Sequence, residues 1–216
     1  MNRATRTIVS ILGAFFAIGG IDHGFFELLH GNTPTHGLFI QAIGPANRFW
    51  IYGTEDAFTF VPNFLLTGIL AIIFSLAIMA WLVGFIHTKH GPSVFFLLFI
   101  CLFLVGGGVG QVLFFLPAWA VATRINQPLT WWRRVLPEAT RRVLAGLWPA
   151  SLAIGLLCFL VALEIAIFGF VPGVKAPDLK NYICWSVLGT GLVVILFTFI
   201  AGFAADIQDK RMENKG

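Results

Sequence analysis

Five apolar runs, residues 8–30, 61–86, 94–121, 148–171 and 183–205, decide most of what this chain can become. Each reaches the ~20 residues that a helix needs to cross a hydrocarbon core of about 30 Å. In lipid a backbone N–H or C=O without a partner costs several kcal/mol, and only helices and closed barrels satisfy all of them. The period-2 alternation of barrel strands is absent, so the runs read as helices. The expected fold class is therefore all-α, a polytopic transmembrane helix bundle with about five main hydrophobic helices. A re-entrant segment and an interfacial amphipathic helix are expected beside them, in a single integral-membrane domain over residues 1–216.

Composition points the same way. The chain is 58% hydrophobic and 11% charged, with mean hydropathy +0.87, where a soluble domain is roughly 25% charged. A soluble domain of about 200 residues still leaves roughly 30% of its chain surface exposed, so a bilayer has to cover the apolar remainder. The formal net charge is +4, and the basic residues cluster in residues 124–147 and at the two ends. That pattern reads as topology signals and headgroup contacts and argues against nucleic acid as a partner. The lipid bilayer is the expected partner, with a membrane protein or a second copy as the protein partner class, and the plasma membrane as the location. Cys101, Cys158 and Cys184 lie in apolar runs without a CxxC pairing, which suits small buried hydrophobes. The start, "MNRATRTIVSILGAFFAIGG", has the basic and apolar parts of a secretory signal, but no A-x-A site follows. It is expected to remain as the first span.

The third run is too long for an upright helix, about 42 Å at 1.5 Å per residue. Gly106, Gly107 and Gly108 disfavour helix and Pro117 lacks a donor, so the run is either steeply tilted or broken into two half-helices. Gly106 and Gly110 also form a GxxxG that permits close helix packing. Charge bears on the choice. With five single crossings, Arg3 and Arg6 fall on the side opposite Arg124, Arg133, Arg134, Arg141 and Arg142, against the positive-inside rule. A re-entrant hairpin in the third run, or an extra short span over residues 38–52, puts both termini and the 124–142 loop in the cytoplasm. An even number of crossings is the expectation. Within residues 124–147, Trp131, Trp132, Arg133, Arg134, Arg141 and Arg142 read as an interfacial helix meeting anionic lipid, or as a docking surface. The tail, residues 206–216, reads as solvated.

Candidate chemistry concentrates in "GGIDHGFFELLHG", residues 19–31. On a helix His23, Glu27 and His30 fall at i, i+4 and i+7 on one face, with Asp22 about 100° away. Glu27 and His30 form the E-x-x-H spacing of bundle metal sites, but the second such motif that a di-metal site needs is missing. The following segment adds His36, Arg48, Glu55 and Asp56 and is too apolar for an idle connector. It is expected to fold back over the helix ends as the cap of a polar chamber, joined by Asn63 and Thr67 from the second helix. His23, Glu27, His30, His36, Glu55 and Asp56 are the candidate ligands of a divalent metal, zinc, iron or manganese. Asp22, Glu164 and Gln111 are the candidate proton or ion relay, since a carboxylate in mid-membrane costs about 2.5–3.5 kcal/mol on the insertion scale and points inward.

No P-loop, dinucleotide fingerprint, G-x-S-x-G elbow or H-E-x-x-H helix occurs, so no motif assigns a reaction. Three functional readings stay open. One is a membrane protein with a metal-binding or proton-relaying polar site. Another is a small carrier or channel using Glu164 and the broken third run, and the last is a non-catalytic subunit that docks a partner.

Overall fold

The apolar runs form helices, and the glycines, prolines and polar clusters between them set the breaks. A computed structural model describes residues 1–213. Helix α1 (Arg3–Leu29) leads into a two-stranded antiparallel hairpin, β1 (Phe39–Ile43) and β2 (Glu55–Phe58). Then come α2 (Phe64–Gly84), α3 (Gly91–Leu104), a 3-10 turn at Val109–Gln111, α4 (Val112–Ala122), a short α5 (Thr130–Val135), α6 (Glu138–Phe168) and α7 (Pro177–Glu213). Four helices, α1, α2, α6 and α7, are long and apolar enough to cross a membrane.

The third run is neither a tilted span nor a simple crossing. It breaks at Gly106 and Gly108, whose φ angles of +107° and +88° suit glycine alone, into the arms α3 and α4. Both arms open toward one face of the molecule. There Asn126 Nδ2 donates to His87 O (2.7 Å) just before α3. Just after α4, Asn2 N donates to Ile125 O (2.7 Å). The tip lies at the opposite face, where Gly106 N donates to Phe58 O (3.0 Å) and Phe60 N to Leu104 O (2.9 Å). The third run is thus a re-entrant helical hairpin, and the segment 38–52 contributes β1 and a loop instead of an extra span.

Chain ends gather on the first face. Asp206 of α7 accepts from Ala4 N (2.8 Å), Thr5 N (2.9 Å) and Thr5 Oγ (2.5 Å), so a residue from the last helix caps the first. Lys210 Nζ donates to Asn2 Oδ1 (2.7 Å). The expected solvated tail is corrected here: Asp206 is 2% exposed and α7 runs on to Glu213, while residues 214–216 lie outside the described part. The expected interfacial helix over 124–147 is also redrawn. Only α5 is separate, and Arg141 and Arg142 belong to the first turns of α6. Arg141 is buried, and its Nη1 donates to Arg133 O (2.7 Å) and Leu136 O (2.9 Å), capping α5 instead of meeting lipid. Trp131 is exposed and Trp132 packs on Phe203. Arg133 and Arg134 are exposed, and Arg142 pairs with Glu138 at 2.7 Å.

Between the faces the core is aromatic. Phe16 stacks on Phe114 (4.2 Å) and Phe99 on Phe115 (4.5 Å), with Phe95 and Phe159 alongside. In lipid such contacts stabilise by packing, since hydrocarbon already solvates apolar groups. Helices α1 and α2 come close where glycines face each other: a Cβ on Gly24 would lie 2.7 Å from Gly68 O. That crossing sits beside His23 and Glu27.

Candidate functional site

Three elements meet at the hairpin face: the last turns of α1, strand β2, and the glycine tip between α3 and α4. Helix α1 presents His23 and Glu27 one turn apart on the face toward the tip, as their spacing requires. The absent Cβ atoms of the tip make room for them. A Cβ on Gly108 would lie 2.5 Å from His23 Nε2, and one on Gly106 would collide with the Glu27 carboxylate and with Thr67. Side chains alternate along β2, so Glu55 turns inward while Asp56 turns out.

Glu55 Oε2 lies 3.2 Å from His23 Nε2, both side chains almost buried, at 11% and 13% exposure. The contact is close but off the line of a hydrogen bond, and Glu55 Oε2 has no hydrogen-bond partner in the protein. His23 Nδ1, on the other side of the ring, is buried without a partner too. Glu27 is fully buried, and neither of its carboxylate oxygens is hydrogen-bonded within the protein. Burial pushes the Glu55 carboxyl up to about 7. Asp22, half-buried, leaves Oδ2 unpartnered at the edge of the same cluster.

Gln111, at the end of the 3-10 turn, is 7% exposed with both amide atoms unpartnered. Its Nε2 would lie 3.6 Å from a Cβ on Gly19, one turn before His23 on the same face. Thr67 is buried in the first turns of α2, its Oγ 3.1 Å from Thr59 Oγ. Asn63 caps α2, accepting from Leu66 N (3.2 Å).

The other candidates go elsewhere. His30 is the residue just past α1, stacked on Phe64 (4.3 Å), and its Nε2 faces Ala42 O at 3.1 Å. That carbonyl is an acceptor, so Nε2 carries the proton and offers no lone pair to a metal. A bulge in the pairing between Gln41 and Ile43 falls at Ala42, which also accepts from Asn47 Nδ2 (3.2 Å). His36 is exposed at φ +56° in the turn before β1. Asp56 is exposed and accepts from Gln41 Nε2 (3.0 Å).

Of the six metal candidates, His30, His36 and Asp56 thus lie apart from His23, Glu27 and Glu55, and among the described residues no group of three His, Cys, Asp or Glu side chains is arranged to hold a metal ion. Glu164 is corrected as well. It is exposed on α6, four residues before the helix ends at Phe168, and does not point inward. It is thus about 6 Å from the helix end at 1.5 Å per residue, near enough for its carboxyl to reach the polar boundary.

Some residues that shape the site were not singled out by sequence reasoning. Gly20 and Gly24, a GxxxG inside the opening motif, carry the approach of α1 to α2. Ser75, fully buried against Gly20, leaves Oγ unpartnered. Trp50 fastens the hairpin loop to the end of α6, donating from Nε1 to Ala166 O (2.9 Å).

Fold and site together define an integral-membrane helical bundle with a re-entrant hairpin whose glycine tip carries a buried acid–imidazole cluster. No protein-family model, curated protein sequence or solved structure matches the chain.

Proposed function

We propose that this is a polytopic membrane protein that works through a proton-exchanging site formed by His23, Glu55 and Glu27, reached from the hairpin face. The observation that carries the reading is the His23 ring. Its Nε2 lies 3.2 Å from a buried carboxylate oxygen, and its Nδ1 is buried and unpartnered. An imidazole in that position takes a proton at one nitrogen and releases one at the other. Glu55, pushed up to about 7 by burial, exchanges protons near neutrality. Glu27 supplies a further acid on the inner side and Asp22 one at the edge. The Gly106–Gly108 tip keeps the cluster dense, and Gln111 and Ser75 extend it with neutral polar groups.

The metal version of the site has little support, since half of its candidate ligands lie elsewhere and among the described residues no three are arranged to hold a metal ion. The carrier reading keeps one favourable observation, a broken helix whose tip touches the polar cluster, but Glu164 lies off that path. Proton uptake tests the reading. Detergent-purified protein moved from pH 8 to pH 6 is expected to take up about one more proton per chain than Glu55→Gln. His23→Gln is expected to reduce uptake as well, and Glu164→Gln to leave it unchanged. Equal uptake by wild type, Glu55→Gln and His23→Gln would overturn it.

The orientation follows from charge. Arg3, Arg6, Lys89, Arg124, Arg133, Arg134 and Lys210 belong to the face that holds the chain ends, and Arg48, Lys175 and Lys180 to the hairpin face. By the positive-inside rule the first face is cytoplasmic, and the site opens away from the cytoplasm.

A further inference from the structure

Helix α5 belongs to the face that holds the chain ends, opposite the acid–imidazole cluster, and its outward side chains take no part in that cluster. Apolar spacing sets its seat. Leu129, Trp132 and Leu136, within and flanking α5, fall at i, i+3 and i+7 on one side of the helix. Leu129 is buried, and Trp132 packs on Phe203 of α7 with ring centroids 5.0 Å apart. By the same 100° step Trp131 and Arg134 lie on the opposite side, with Arg133 at the flank. Trp131 is 59% exposed, and both arginines are exposed.

The depth of α5 follows from α7. Phe203 comes three residues, about 4.5 Å of helix, before Asp206, which ends a stretch without Asp, Glu, Lys or Arg that begins after Lys180. The exposed indole and arginines therefore sit where hydrocarbon gives way to headgroups, the level at which Trp anchors and guanidinium meets phosphate.

A buried cation backs this surface. Arg141, in the first turns of α6, is 8% exposed; its Nη1 donates to Arg133 O (2.7 Å) and Leu136 O (2.9 Å), and its Nε is unpartnered. Glu138, the acid nearest to it in sequence, bonds to Arg142 instead (2.7 Å). Among the described residues no carboxylate forms an ion pair with Arg133, Arg134 or Arg141. Carbonyl dipoles offset a buried charge only in part, so this end of α5 keeps an unbalanced positive field.

We propose that α5 is a docking surface for an anionic phospholipid. The headgroup phosphate meets Arg133 and Arg134, and Trp131 lies against the start of the acyl chains. Arg141 stays inside, bracing α5 against α6 and adding its charge to the field. A water-soluble acidic partner would match the arginines but not the depth of α5 beside Phe203. Since α5 is fastened to α7 through Trp132 and to α6 through Arg141, the bound lipid stabilises that corner of the bundle.

The test titrates the full-length protein in detergent with phosphatidylglycerol, phosphatidylcholine or inorganic phosphate and follows Tm. A saturable rise is expected with phosphatidylglycerol, at a lipid-to-detergent ratio at least about fivefold below that for phosphatidylcholine, and none with inorganic phosphate. The half-saturating ratio is expected to rise about fivefold in Arg133→Gln and in Arg134→Gln, and further in the double variant. Lys175→Gln, on the hairpin face, is expected to leave it unchanged. Because Arg133 and Arg134 are exposed, the variants are expected to match the wild-type Tm without lipid. Equal half-saturation by the two lipids, or a double variant that takes up phosphatidylglycerol as the wild type does, would overturn the proposal. A rise with inorganic phosphate equal to that with phosphatidylglycerol would also overturn it and assign the surface to soluble anions. Proton uptake by the double variant is expected to equal that of the wild type, so this proposal and the proton reading fail independently.

Discussion

At Glu55 the chemistry and the stability of the protein are tied to one proton. Its carboxyl moves from an ordinary value of 4.5 to about 7 because β2 turns it away from water. The folded chain therefore holds that proton more tightly than the unfolded chain does. The resulting contribution is fully present below about pH 4.5 and is lost as pH rises through about 7. Its ceiling is about 3 kcal/mol. Glu55→Gln removes the titration, so its Tm is expected to exceed that of the wild type more at pH 8 than at pH 5, as followed by circular dichroism. The tip glycines make a second residue-scale prediction. Gly108→Ala meets a left-handed backbone and the His23 ring together, and about 2–4 kcal/mol of destabilisation is expected from strain and overpacking. Two positions on, a Cβ at Gly110 meets nothing within 4 Å, and Gly110→Ala is expected to stay within about 0.5 kcal/mol of wild type. Denaturation midpoints of the pair check both.

Among the elements, what could be read in advance was whatever periodicity and length encode. The shared face of His23 and Glu27 followed from their four-residue spacing, and a break in the third run from three adjacent glycines. The sequence placed Glu55 in a segment folding back over that face. It did not say which of His36, Glu55 and Asp56 would turn inward, nor that the Gly106–Gly108 tip would meet it. A strand's register and a hairpin's tip are set by tertiary packing that no local pattern specifies. His30 shows the limit of spacing: it continues the same face, yet α1 ends one residue earlier and the imidazole turns to the Ala42 carbonyl. Glu164 shows the limit of cost arguments, since a carboxylate near the end of a long helix reaches polar surroundings without turning inward. Asp206 was hidden within a tail of mixed charge, although it closes the bundle by capping α1. Asp206→Ala removes three accepted hydrogen bonds from the first turn of α1, and a loss of about 1–3 kcal/mol is expected. Asp209→Ala, at an exposed neighbour, is expected to change stability by about 0.5 kcal/mol or less. Thermal unfolding in detergent separates the two.

The whole molecule places a basic face with both chain ends opposite a hairpin face with few basic residues. Four helices long and apolar enough to cross a membrane, with a third run that turns back on itself, agree with the even number of crossings expected from the positions of Arg3 and Arg6. In a background free of the three native cysteines, Lys89→Cys and Arg124→Cys are expected to resist a membrane-impermeant thiol reagent in intact cells. Arg48→Cys and Lys175→Cys are expected to react; the reverse pattern would invert the proposed orientation. The central claim is that His23, Glu27 and Glu55 form one buried, protonatable cluster at the tip of the re-entrant hairpin. Infrared spectroscopy of the purified protein across pH tests it most directly, through the absorption of protonated carboxyl groups. The account predicts a protonated-carboxyl band with a component that titrates near pH 7, absent from Glu55→Gln and shifted in frequency in His23→Gln. A spectrum without protonated carboxyl above about pH 6, the same in wild type and both variants, would contradict it.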